Sequence, residues 1–225
     1  LFIGDLNSNN KAEIYGFTMQ NDSLLLNVAE PFAEPEFQNS YFVVRINKSR
    51  NDIYDSFIRY AFFEDMNRDG TQEFVFTLQQ GFSLLPKSIF VFSLSTESFE
   101  HTPVVGNNNM YIEHCINPEN NEFEIVAGGS AGYTMPDTID VFLSDDRPYL
   151  KVYNANLEFK FEPVPFPVGI SGHLKSIPKV VNNQLFYFSF YFSRSAESPD
   201  PTLYKINSRG KKTDSLVFHL EQRIG

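Results

Sequence analysis

Residues 65–73, DMNRDGTQE, put side-chain oxygens at alternate positions: Asp65, Asn67 and Asp69, with a closing acid at Glu73. Thr71 occupies the remaining alternate position, where its backbone carbonyl is the expected donor. Calcium is a hard cation that collects six to eight oxygens at roughly 2.3–2.6 Å, and a tight loop can aim alternate side chains at one such ion. Gly70 permits the sharp turn, because glycine enters positive φ at little cost. An EF-hand begins in the same way but needs an acid at its twelfth position and a helix on either side. The twelfth position here is Phe76, inside the strand-like run EFVFTL. The spacing therefore predicts a shorter calcium loop between two strands, with Asp65, Asn67, Asp69, Thr71 and Glu73 as its donors.

A second segment repeats the spacing. DLNSNNKAE at 5–13 offers Asp5, Asn7, Asn9, Lys11 (through its carbonyl) and Glu13. Asn9 replaces the third acid and Asn10 replaces the glycine. Asparagine tolerates the left-handed conformation, so the turn survives with one charge fewer. A third segment, CINPENNEFE, carries Cys115 where the first acid belongs and Glu124 one residue late. A turn without metal is expected there. Asx-rich turns also close hairpins with no ion present, and an ion held in any of these loops is expected to stiffen the fold by linkage, not to catalyse.

The segments that must hold these loops read as strands. Short apolar runs, alternating or continuous, are broken by Asn, Asp, Gly, Pro and Ser, and helical periodicity is scarce. Strands are predicted near 1–4, 13–18, 23–28, 40–46, 57–64, 73–78, 88–94 and 98–104. Further strands are predicted near 109–115, 123–127, 138–143, 149–153, 157–162, 170–175, 184–192, 202–206 and 214–220. The unit of apolar strand, Asx-rich turn, glutamate and apolar strand recurs at 2–18, 62–78 and 112–129. A fourth unit from about 170, HLKSIPKVVNNQLFYFSF, keeps the rhythm without the acids. Four strands in about 50–60 residues match the size of a propeller blade. The expected fold is all-β, a β-propeller of four-stranded blades near 1–56, 57–108, 109–169 and 170–225. With no linker between them, 1–225 reads as a single repeat domain, which four blades either close or continue as part of a larger ring.

Composition agrees and narrows the partners. Of 225 residues, 24 are Phe, 11 Tyr and none Trp, and flat rings favour pleated surfaces. The net charge of −10 speaks against nucleic acid, whose phosphates need basic partners, and against an anionic membrane surface. The lone cysteine, Cys115, makes an intrachain disulfide impossible and reads as a small buried hydrophobe. No run approaches the length of a membrane-spanning helix. The chain opens in mid-pattern and is expected to be a piece of a longer protein.

The loop pattern resembles the FG-GAP or VCBS-type repeats of integrin-like β-propellers, which carry such loops between the first two strands of a blade. The resemblance covers three of the four units, and it is most specific at 65–73. The segments LQQGFSLLPKSIFVFSL and SDDRPYLKVYNANLEFKFEP are also similar to stretches in the extracytoplasmic sensor regions of bacterial histidine kinases. That resemblance implies a periplasmic or cell-surface domain, possible homodimerisation, and a transmembrane helix and kinase elsewhere in the protein.

Enzymatic constellations do not assemble. His101, His114, His173 and His219 are scattered, without metal-ligand spacing, and no G-x-S-x-G elbow occurs. GGSAGY at 128–133 is not followed by a helix that could receive a phosphate. Asp145 and Asp146 are neighbours in one turn, which solvation explains. AGGSAGYTMPD and LQQGFSLLPKS occupy equivalent places and are the expected ligand-facing rim. The function expected is a non-enzymatic module that senses a small-molecule, glycan or protein ligand, with structural calcium. An adhesion or scaffold protein and a polysaccharide-acting enzyme of propeller fold are the alternatives.

Overall fold

The computed structural model describes residues 1–31, 37–45, 57–79, 87–109, 111–132, 142–168, 172–193 and 199–219. Among these residues there is no helix, and they form sixteen strands. They form four antiparallel four-stranded sheets. The first holds β1 (Phe2–Gly4), β2 (Glu13–Gln20), β3 (Ser23–Glu30) and β4 (Phe37–Arg45), and the second holds β5 (Phe57–Glu64), β6 (Glu73–Gln79), β7 (Ile89–Ser93) and β8 (Ser98–His101). The third holds β9 (Tyr111–Ile116), β10 (Phe123–Gly128), β11 (Tyr149–Asn154) and β12 (Val164–Pro165). The fourth holds β13 (Gly172–Val181), β14 (Gln184–Ser193), β15 (Thr202–Asn207) and β16 (Lys212–Val217). Within each sheet the strands pair in chain order, so each of the four segments marked out in the sequence contains one complete meander.

The chain divides into two compact units, Leu1–Leu85 with Ile89–His101 and Pro86–Ser88 with Thr102–Gly225. In the first unit one core joins side chains of both sheets. Tyr15, Leu24, Leu26 and Val28 meet Phe74, Phe76, Phe90 and Phe92. The Phe74 ring lies 5.1 Å from Tyr15 and 4.8 Å from Phe63. Each such ring contributes about 1.5–3 kcal/mol by burial. The second unit buries Val126, Leu150, Val152, Leu174, Leu185, Tyr187, Tyr191 and Ile206 together. β14 shows how its sequence selects a strand: Leu185, Tyr187, Ser189 and Tyr191 fall on the buried phase. Ser189, which breaks that apolar run, meets the Ser176 hydroxyl at 2.8 Å inside the sheet.

Two strand expectations need correction or fall away. No strand spans 157–162. Instead the Asn154 carboxamide oxygen accepts from the N–H groups of Asn156 and Glu158, each at 3.0 Å. Leu157 turns at φ 62°, and the last strand of the sheet forms later, at Val164–Pro165. The expected pairing survives as a single bridge, Tyr153 opposite Phe159, with the Lys160 N–H donating to the Val152 carbonyl at 2.8 Å, while Asx bonding at Asn154 turns the residues before it. The strand expected at 138–143 lies mostly outside the described residues, as do residues 80–86 of the rim segment 78–88 and 133–137 of the rim segment 127–137.

Candidate metal centre

The loops at 5–13 and 65–73 each connect the first two strands of a sheet, and they share one hydrogen-bond scheme. In the second loop Asp65 Oδ1 accepts from the Asp69 N–H at 3.1 Å, and its Oδ2 accepts from the Gly70 N–H at 2.9 Å. Asn67 Oδ1 accepts from Asp69 at 2.9 Å, and Asp69 Oδ1 accepts from Thr71 at 2.8 Å. Glu73 Oε2 reaches back to the Met66 N–H at 2.9 Å. In the first loop, Asp5 accepts from Asn9 and Asn10, Asn7 from Asn9, Asn9 from Lys11 and Glu13 from Leu6, at 2.8–3.1 Å.

The backbone repeats as well. Positive φ falls on Arg68 (63°) and Gly70 (90°) in one loop and on Ser8 (55°) and Asn10 (63°) in the other. Asn10 thus takes the left-handed place of the glycine, as its chemistry allows. The left-handed Ser8 and Arg68 carry no comparable sequence signal.

Beyond the backbone the loops differ. In the second, the Asn67 amide nitrogen lies 3.1 Å from Asp69 Oδ2 and 3.4 Å from Glu73 Oε1. Two carboxylates therefore converge on one point, which an amide N–H marks as electronegative. Burial raises the pKa of Glu73, the Met66 N–H offsets part of this, and Asp69, Asp65 and Glu100 add to the rise. The Thr71 N–H, then Asn67, holds Asp69 below the usual carboxylate range. The chemistry of this set suits a hard divalent cation: Asp65, Asn67, Asp69 and Glu73 would offer side-chain oxygens, and Thr71 its carbonyl.

In the first loop, Glu13 is fully buried. Its Oε2 accepts from the Leu6 N–H and, at 2.9 Å, from the Tyr15 hydroxyl. Its Oε1 has no partner. Burial raises its pKa, and Asp5 and Glu30 add to the rise against the hydrogen bonds from Leu6 and Tyr15. The Asn7 and Asn9 amide nitrogens both point to Glu30 Oε2, at 3.2 and 2.9 Å, and Lys11 Nζ stands 3.9 Å from Glu30 Oε1. Glu30 was not among the expected residues. Its signal was present in SLLLNVAE, where it continues the buried phase of Leu24, Leu26 and Val28. An acid on the inward phase of a strand needs a polar partner, and the loop supplies one.

The third turn sits one residue later than the spacing implied. Cys115 lies inside β9, and the position eight residues before Glu124 is Ile116. Asn121, at φ 60°, then matches Asn10 and Gly70. Glu124 is fully buried and accepts from Asn117 Nδ2 at 2.8 Å. It also pairs with the Lys160 ammonium and the Tyr187 hydroxyl. A lysine from the 154–160 turn thus provides the positive charge at this glutamate. Burial lowers the Lys160 pKa, which Glu122 and neighbouring groups partly offset. Burial likewise pushes the Cys115 thiol up to about 11, which leaves it inert at neutral pH.

Among the described residues, no three Asp, Glu, His or Cys side chains form a cluster by themselves. The loops also draw on Asn and backbone oxygens, which calcium accepts. No helix among these residues is long and apolar enough to cross a membrane. No family model, no curated protein and no solved structure matches the chain.

Proposed function

We propose that the chain is a calcium-stiffened repeat module of β-propeller type that binds an extracytoplasmic ligand as the sensor part of a two-component histidine kinase. The observation that carries the calcium reading is the loop at 65–73, where Asp69 and Glu73 converge on one point within a backbone that the 5–13 loop reproduces bond for bond. The propeller reading is supported by four consecutive four-stranded meanders, the repeat unit of that architecture. The kinase context rests on the resemblance of residues 78–94 and 144–163 to sensor regions. Calcium in this reading is structural: it neutralises acids that burial has already made costly and ties the first strand of a sheet to the second.

Calorimetric titration with calcium, followed by melting with and without EGTA, tests the metal. Binding with a matching drop in Tm on chelation is expected in the native chain, and neither is expected in Asp65→Ala. A native melting curve indifferent to EGTA would remove the calcium reading. Melting against a panel of small molecules and glycans tests the sensing role, for which a saturable shift with one of them is expected.

A further inference from the structure

The second unit buries two lysines that form no ion pair with a carboxylate among the described residues. Lys151, on β11, is fully buried, and Lys87 is 4% exposed. The Lys151 ammonium donates to Asn107 Oδ1 at 2.6 Å, and the Lys87 ammonium donates to the Gly106 carbonyl at 3.0 Å. Neither forms an ion pair among the described residues. The two repel one another, and Asp145 acts on Lys87 without pairing with it. Among the described residues, Lys87 is the charged group that acts on Lys151. Asp145 faces Lys87, and the Arg147 guanidinium is turned onto Asp146 at 2.9 Å. Among the described residues, two ammonium groups face one carboxylate, a positive charge in excess. In a protein interior such a charge is costly unless it is paired.

The segment beside them is rich in polar groups and held in place. Asn107, fully buried, also donates to the Arg147 carbonyl at 3.3 Å. Asn109 is 5% exposed, and its amide nitrogen, a donor, has no partner. The backbone of 106–109 is fixed where it passes Gly129: a Cβ there would stand 1.6 Å from the Asn108 carbonyl, so only glycine fits. The donors gathered here, the two ammonium groups and the Asn109 amide N–H groups, outnumber the acceptors that the described residues give them, and a negatively charged acceptor would satisfy them.

We propose that Lys87, Lys151 and the Asn107–Asn109 segment form a binding site for a small monovalent anion. Its charge balances the excess, and its oxygens or halide accept the ammonium hydrogens that Asn107 and Gly106 leave free. The site is separate from the calcium loops and stands whether or not they hold metal. Burial and the Lys87 charge bring the Lys151 pKa down to about 7, so anion uptake is coupled to proton uptake near neutrality.

Chloride NMR line broadening on the full chain, with formate as competitor, tests this. Excess broadening is expected at about pH 6, displaced by formate, with affinity falling roughly 90-fold by about pH 9 as Lys151 loses its proton. Lys151→Met should abolish the broadening and the rise in Tm that formate gives at constant ionic strength. If that variant does not fold, Lys87→Met and the pH profile of the native chain carry the same test. Broadening that is unchanged by pH, or equal in native and variant chains, would overturn the proposal. So would a Lys151→Met chain that is simply more stable while native Tm ignores formate, the result for a lysine that only packs.

Discussion

The loop at 65–73 and the turn at 116–124 place a buried glutamate at the same point of a sheet, near the start of its second strand, yet they satisfy it in opposite ways. Glu124 is met by the Lys160 ammonium, the Tyr187 hydroxyl and the Asn117 amide. Glu73 has a backbone N–H and a long contact to the Asn67 amide, with Asp65, Asp69 and Glu100 close enough to raise its pKa. One site carries its own cation covalently, whereas the other gathers acids, Asp65, Asp69 and Glu100, around its glutamate. The 5–13 loop lies between them: Asn7, Asn9 and Lys11 turn to Glu30, while one oxygen of Glu13 remains buried and unpaired. A repeat can thus keep its turn and its inward acid while exchanging a bound ion for a lysine, since both remedy the same desolvation cost.

The largest expected effect breaks the self-neutralised member. Lys160→Met leaves Glu124 buried without its cation and should cost about 3 kcal/mol, read as a lower urea midpoint. The double variant with Glu124→Gln should recover most of that loss. If Lys160→Met alone is neutral, the pair is ornamental and the contrast with Glu73 fails.

Next in size is the pH dependence of the calcium effect. A hundredfold excess over Kd stabilises by about 2.7 kcal/mol. Burial raises the Glu73 pKa, so the metal-free loop is most stable with that carboxyl protonated. It loses stability as the pH rises from the ordinary carboxylate range through the raised value. Calcium needs the carboxylate, so the Tm increment it gives should grow over that same rise in pH and vanish on acidification. Melting with and without calcium across this range checks the sign.

Glu30→Gln sharpens the intermediate case. It replaces the charged acceptor that Asn7 and Asn9 share by a neutral amide and removes the charge facing Lys11, and it should cost about 1 kcal/mol in chemical denaturation. The smallest contrast concerns the turns themselves. Gly70→Ala forces a Cβ into φ 90° and should cost about 1 kcal/mol, whereas Asn10→Gly should change stability by only a few tenths.

Much of the fold was legible because strands advertise themselves locally. Alternation in SLLLNVAE and QLFYFSFYFS, and Asx-rich breaks between runs, located most strands to within a few residues. The failure at 157–162 arose because the Asn154 side chain offers the backbone a competing turn, which periodicity does not register. The loop geometry was legible at 65–73 and 5–13, where spacing alone orders the side-chain oxygens around the turn. The register of the third turn was not, because its defining residue is the buried Glu124, not Cys115.

By itself the sequence determined an all-β chain of four meanders, two oxygen-lined loops of one design, and a left-handed asparagine standing in for a glycine. These follow from period-two alternation, side-chain spacing and backbone sterics, all of which act over a few residues. Tertiary structure alone decided which charges meet. Lys160 comes to Glu124 from 36 residues away, Asn9 to Glu30 from 21, and Lys151 to Asn107 from 44. Such encounters depend on how strands stack and what that stacking takes out of water, and burial then fixes the cost of every charge left unmatched.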